Sequence, residues 1–306
     1  MDYRKANRAY LYMILSTLAF VIIFSAWVFR TGNDVSVLLN NLISELMILI
    51  PAVAMVLYHG DRLGVLVPLK TIKLPSILLT IVYVITLFPL VTFINSLSML
   101  FVDNTVAEIS DQITVLPMWQ MLLSIGIFGP FVEEVVFRGI LLQSYQRTGR
   151  IIGSIVLSSI LFGMMHMNFN QFAYGAVMGI MLSLLVEATG SVISSFIAHA
   201  TFNSIEVILL YFTSDTLDDA EAMLENFSGA TELLTISIYF VGAVIFTTVA
   251  MCVVYKISKL EGRKEFFANI PKCRKQGYKL ITVPLIIACI IAITYMILVE
   301  VINHLL

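Results

Sequence analysis

The sequence predicts an all-α fold, a polytopic transmembrane bundle of about nine helices, and three observations carry that reading. Of 306 residues, 59% are hydrophobic and only 12% charged, whereas a soluble domain is about a quarter charged. Stretches long enough to cross a hydrocarbon layer of about 30 Å, roughly 20 residues each, recur along the whole chain. The charges between them are sorted by sign, basic in alternate connections and acidic in the others.

The apolar spans run over 9–29, 35–58, 76–100, 117–145, 152–167, 171–188, 191–213, 234–255 and 280–303. The first follows a basic start, but its length of 21 and lack of a small-residue cleavage site predict an uncleaved signal anchor. The fourth is long and contains Pro130, which predicts a kink. Residues Leu217–Phe227, between the seventh and eighth, place apolar positions at helical spacing under an acidic face, a pattern suited to the membrane surface.

Arg4, Lys5 and Arg8 precede the first span, Arg62, Lys70 and Lys73 follow the second, Arg147 and Arg150 follow the fourth, and eight Lys or Arg lie between Lys256 and Lys279. The intervening connections carry Asp103, Glu108 and Asp111, then Asp215, Asp218, Asp219, Glu221, Glu225 and Glu232, with no Lys or Arg. Basic loops stay cytoplasmic. Nine crossings with a cytoplasmic N-terminus satisfy this alternation, leaving His304 near an outer end and Arg30 as the outward exception. Short loops point to a bacterial plasma membrane.

One membrane domain over 1–306 is expected, its chemistry within about 117–213 and flanking helices over 9–100 and 234–303. Cys252, Cys273 and Cys289 lack metal-type spacing. The expected partners are the lipid bilayer and a membrane-associated peptide or protein, not nucleic acid.

Charged side chains inside apolar spans are costly and mark function. The fourth span carries Glu133, Glu134 and Arg138, the fifth ends at His166, and the seventh carries His199 and Asn203. Glu134 and Arg138 are four apart and pair on one helix face, leaving Glu133 without a partner on its own helix. His199 and Asn203 share a face one turn apart. Counting about 1.5 Å per residue from the basic ends, Glu133, His166 and Asn203 lie about 20 Å deep and His199 about 13 Å, so one intramembrane site can hold them all. Glu45, Glu187, Glu206 and Glu300 are assigned to interfaces or to pairing with neighbouring polar groups, and His59 and His304 to span ends.

Away from bulk water a carboxylate accepts a proton more readily, which makes Glu133 the candidate general base for activating a water. His199 and the Asn203 amide are candidate donors to an oxyanion, and His166 would position the water or bind a metal. Two histidines and a glutamate also form a zinc ligand set, so Glu133, His166 and His199 could hold a divalent cation such as zinc, although no His-Glu-x-x-His helix is present.

The motifs Glu133-Glu134-x-x-x-Arg138, Phe162-x-x-x-His166 and His199-x-x-x-Asn203 resemble, in order, those of the CAAX protease and bacteriocin-processing (CPBP, or Abi) family, which includes the type II CAAX prenyl endopeptidases. The resemblance implies an intramembrane endopeptidase, by glutamate or by metal, with Glu133, Glu134, Arg138, His166, His199 and Asn203 at its functional positions and a four-helix catalytic core. Eukaryotic prenyl endopeptidases tend to carry another histidine three residues after the first. Here that position is Phe169, which argues against a prenylated substrate. The alternatives are a non-proteolytic scaffold or bacteriocin immunity protein, or a proton-coupled carrier using the same carboxylates.

Overall fold

The computed structural model describes residues 1–33, 35–105, 110–224, 229–270, 279–303 and 305, and no side chain from 214 to 232. Its described elements are all helical. Nine principal helices correspond to the nine apolar spans: α1 (Tyr3–Thr31), α2 (Val37–Tyr58), α3 (Leu74–Ser98), α4 (118–146), α5 (Ile151–Met165), α6 (Phe169–Thr189), α7 (Val192–Leu224), α8 (Gly229–Leu260) and α9 (Val283–Asn303). Cys273, His304 and Glu108 fall outside the described residues, as do the side chains of the acidic segment from Asp215 to Glu232.

Local chemistry sets the helix ends. Asp2 caps α1 by accepting from the Arg4 and Lys5 N–H groups, and the helix closes on Gly32 at φ 65°. Asn168 caps α6, which closes on Gly190 at φ 73°. Within α3 the pieces Leu74–Ile85 and Phe88–Ser98 meet just before Pro89, which has no N–H to continue the ladder. Helix α7 runs without interruption to Leu224. The segment from Leu217 therefore prolongs the span up to that point rather than starting a separate surface helix, and 225–227 lie outside the described residues.

Seven of the nine are long and apolar enough to cross a membrane. The other two carry much of the candidate site. Helix α5 has 15 residues, about 22 Å at 1.5 Å each, and ends with His166 at its C-cap, inside the depth of a bilayer. Helix α4 is wound in two registers: Leu122–Phe128 and Val135–Leu141 are π-helical, and Gly129–Glu134 between them is α-helical. Pro130, where the sequence predicts a kink, stands at the start of the α-helical piece between the two π-wound ones, and π-turns are frequent where a helix carries function.

Two apolar cores meet around the site. One joins α1, α2, α4, α5 and α9 through residues such as Tyr10, Val136, Phe137, Phe162 and Ala288. The other joins α3, α6, α7 and α8 through Tyr83, Leu182, Phe202 and Val254. Exposed Ile22, Ile23, Phe240, Val244 and Ile290 give the outer flanks of α1, α8 and α9 an apolar surface suited to lipid. At the basic end, Glu261 accepts from the Ser76 hydroxyl and the Lys73 N–H, Gln146 donates to Glu187, and Arg263 Nε donates to the Glu187 carbonyl at 2.9 Å. Glu187 thus lies at an interhelical contact, as its sequence context suggested.

Helices α4, α5, α6 and α7 pack in a ring, each against the next. The α5–α6 contact is the tightest. A Cβ at Gly163 would stand 2.6 Å from the Phe172 carbonyl oxygen and 2.9 Å from the Ala176 nitrogen, and one at Gly179 would stand 2.9 Å from the Ser159 Cα. Small residues let the two backbones touch, the usual device for helix association in lipid. Gly163→Ala must push backbone rather than a side chain, so a loss of about 1–3 kcal/mol in detergent unfolding is expected, with His166 displaced from its partners. An unchanged unfolding midpoint would show that α5 and α6 can separate without cost.

Candidate active site

His166 closes α5 at a corner held by its neighbours. Met167 adopts φ 59°, a left-handed conformation that a side chain of its type enters only when its surroundings impose it. The Asn168 amide donates to the His166 carbonyl at 2.9 Å, while the Asn168 oxygen accepts from the Gln171 N–H at 2.8 Å. A Cβ on Gly175 would stand 3.7 Å from His166 Cε1, so α6 backs the imidazole directly. The His166 Nδ1 lies 3.0 Å from the Phe162 carbonyl. That acceptor assigns the proton to Nδ1 and leaves Nε2 free to face inward.

His199, on α7, is treated in the same way by a carboxylate. Its Nδ1 lies 3.0 Å from Glu134 Oε1, and the same oxygen lies 2.8 Å from Arg138 Nη1. Glu134 and Arg138 are each 1% exposed, as a paired charge within a membrane helix has to be. The guanidinium carbon sits 4.2 Å from the centroid of Phe162. Phe162 also meets His166 edge-on at 5.1 Å, His199 at 5.7 Å and Phe137 at 5.2 Å. One aromatic ring thus supports both imidazoles and covers the cation.

Glu133 faces the two free imidazole nitrogens. His199 Nε2 lies 3.5 Å from its Oε2 and His166 Nε2 lies 4.0 Å from its Oε1. Both separations exceed a direct N–H···O hydrogen bond and suit groups that address a third atom between them. Glu133 is 14% exposed and His166 21%, so this face is open to a reactant, whereas Glu134 is closed off. Although adjacent in sequence, the two glutamates occupy different surroundings, because one residue of helix turns the side chain by about 100°.

The structure thus brings Glu133, Glu134, Arg138, His166 and His199 together. Asn203 sits one turn beyond His199 and donates its Nδ2 to the Ile125 carbonyl at 3.1 Å. As to a metal, both imidazoles present Nε2 with Nδ1 tied to an acceptor, the arrangement of metal-binding histidines, and with Glu133 the donor types suit zinc. Among the described residues, however, no three His, Cys, Asp or Glu side chains are gathered closely enough to form a metal site as they stand.

Three further residues were missed by the sequence reading. Glu45, on α2, is 7% exposed, and its Oε2 is buried without a hydrogen-bond partner. Its Oε1 stands 3.3 Å from where a Cβ on Gly129 would be, and Glu133 acts on it electrostatically. It is a charge in an apolar span, so the reasoning that selected Glu133 could also have selected Glu45. Tyr174, on α6, lies within electrostatic reach of both Glu133 and Glu206. Asn168 was legible as a helix N-cap, but that it also holds the His166 carbonyl depends on the corner formed by the chain.

A family model described as "Type II CAAX prenyl endopeptidase Rce1-like" matches residues 115–205, a stretch containing all seven residues named in the three motifs. The "Putative membrane peptidase YdiL" of Bacillus subtilis (strain 168) is 30% identical over 108 residues, which are 35% of this chain and 43% of that protein. The match therefore spans less than half the length of that relative. No solved structure matches. The three motifs and the family model fall on the same helices, and residues 115–205 of this chain are similar to that Rce1-like model over all three motifs.

Proposed function

We propose that this chain is an intramembrane endopeptidase that hydrolyses a peptide bond in a membrane-associated peptide or protein, with Glu133 as the general base. The observation that carries this reading is the convergence of two imidazole Nε2 atoms on the two oxygens of one partly accessible carboxylate, with each Nδ1 held from behind.

In the proposed reaction a water held by Glu133 and the His166 Nε2 attacks the peptide carbonyl carbon. Glu133 takes one proton from that water as the C–O bond forms, and the oxyanion builds up beside His199. When His199 carries both of its protons, Nδ1–H is held by Glu134 and Nε2–H points toward the reacting centre, where it can donate to the oxyanion. Collapse breaks the C–N bond, and the proton on Glu133 passes to the leaving nitrogen. Glu134 and Arg138 do not touch the substrate; they hold His199 in place. If a divalent cation is bound, His166, His199 and Glu133 would be its ligands, and it would supply Lewis-acid polarisation of the carbonyl.

By the sorting of basic connections, the active face is reached from the cytoplasmic side with the N-terminus inside. With Phe169 where prenyl endopeptidases tend to carry histidine, the substrate need not be prenylated. Membranes bearing the native chain or Glu133→Gln are expected to differ by new protein termini found only with the native chain, scored by terminal-peptide mass spectrometry. Identical termini in both would refute the protease reading in favour of a scaffold or carrier. Cleavage that survives 1,10-phenanthroline would support a water activated by Glu133 alone; loss restored by added zinc would assign the three donors to a metal.

A further inference from the structure

The chain enters α9 along the outside of α5, and the join leaves a groove. Residues 279–282 run without regular secondary structure and alternate in direction: Leu280 is 8% exposed in the core, while Ile281 is 62% exposed and Lys279 is exposed as well. Asn7 of α1, itself fully buried, holds this stretch down. Its Nδ2 donates to the Leu280 carbonyl at 2.8 Å and to Thr282 Oγ1 at 2.9 Å, and Tyr145 of α4 donates to its Oδ1 at 2.8 Å. The wall formed by Lys279 and Ile281 is therefore fixed by the bundle.

The facing wall is α5. Gly153, Val156, Leu157 and Ile160 follow the i, i+3, i+4, i+7 spacing of one helix face. With Arg150 they enclose a cavity of about 360 Å³ against Lys279, Leu280 and Ile281. Gly153 keeps the upper part of it open: a Cβ there would stand 3.4 Å from Leu280 Cδ1, so a longer side chain would fill the gap.

Charge and length together say what fits. The lining residues include two cations and no acid, and both cations lie at the basic end of the bundle, Arg150 as the N-cap of α5 and Lys279 just before α9. From Arg150 to Ile160 is ten residues of chain, about 15 Å of helix, which is one leaflet of a hydrocarbon layer of about 30 Å. A cationic mouth at headgroup level above an apolar floor one leaflet deep matches an anionic phospholipid. A zwitterionic headgroup would bring an ammonium that meets no carboxylate among the lining residues.

We propose that the groove between α5 and the approach to α9 binds an anionic phospholipid from the leaflet at the basic end, with its phosphate between Arg150 and Lys279 and an acyl chain along Gly153, Val156 and Ile160. The lipid then bridges two elements that are far apart in sequence. None of its contacts belongs to the candidate active site, so the proposal holds whether or not the chain is a protease.

The test uses the full chain in detergent, freed of co-purified lipid, with dioleoylphosphatidylglycerol as the probe and native mass spectrometry and thermal unfolding as readouts. One phosphatidylglycerol per chain should stay bound at collision energies that strip dioleoylphosphatidylcholine, and the unfolding midpoint should rise by at least about 3 °C as the site fills. Arg150→Gln/Lys279→Gln should weaken binding at least about tenfold, since each cation near a lipid phosphate contributes several-fold. Gly153→Leu, which keeps both charges and fills the groove, should weaken it as much. Lys259→Gln/Lys264→Gln, at the same end but outside the groove, should bind within about twofold of the native chain. An equal loss in that control pair would reduce the effect to diffuse surface charge and overturn the proposal, as would equal binding of phosphatidylcholine or an equal rise with inorganic phosphate alone. If Gly153→Leu does not fold, Val156→Trp on the same exposed wall makes the same test, and undiminished binding in either filled groove would overturn the site.

Discussion

Glu133→Gln is expected to lower kcat for peptide cleavage by about 10²–10⁴-fold, the usual contribution of a positioned general base, and to move the unfolding free energy by less than about 1 kcal/mol. The two effects separate because of where the carboxylate stands. The imidazole nitrogens it faces stand at 3.5 and 4.0 Å, beyond hydrogen-bonding distance, and it is not the carboxylate that neutralises Arg138. The amide fits the same space but cannot take a proton from water. Kinetics on purified protein in lipid, paired with thermal unfolding, measures both. A Gln variant that cleaves at the native rate would remove Glu133 from the chemistry, and one that unfolds would show the residue to be structural.

The second large effect is expected at the buried ion pair. Glu134→Gln or Arg138→Met alone should each destabilise the fold by about 3–5 kcal/mol, because each leaves an uncompensated charge in a low-dielectric interior. The double variant Glu134→Gln/Arg138→Met should be more stable than either single variant, since it buries neither charge. Arg138→Met should cost more, because the guanidinium also covers the face of Phe162 at 4.2 Å and that ring supports both imidazoles. Activity is expected to fall in all three variants: Glu134 holds His199 Nδ1, and a carboxamide in its place accepts that proton less strongly. Denaturant unfolding of the four chains supplies the cycle, and additive losses would show that the pair does not act as a unit.

Much of the architecture was legible along the chain because a bilayer imposes simple demands. Each span must be about 20 apolar residues long and must satisfy its own backbone, so the nine apolar stretches mark the nine principal helices, closely for most ends, while α1, α7 and α8 run past their stretches to Tyr3, Leu224 and Gly229–Leu260. The same cost that keeps charges out of lipid makes Glu133, Glu134, Arg138, His166 and His199 conspicuous, and the i, i+4 spacing pairs Glu134 with Arg138 without further information. Helical rise alone put His199 about 7 Å shallower than Glu133. The structure seats it against that residue, since the count assumed upright helices of uniform winding, while α4 is π-wound around Pro130.

Composition, periodicity and charge order by themselves determined that this is an all-helical membrane bundle and which polar side chains it carries within the membrane. Only the tertiary structure decided what each of them faces: that Glu134 holds His199 from behind while Glu133 looks at both imidazoles, that Asn203 bonds a carbonyl on α4, and that Glu45 from a flanking helix reaches the same turn. The physical reason is that burial cost and helix spacing are properties of one segment at a time. The direction of a side chain within a packed ring depends instead on the rotation and register of helices far apart in sequence, set here by contacts such as Gly163 on Phe172 and Gly126 on Ser204.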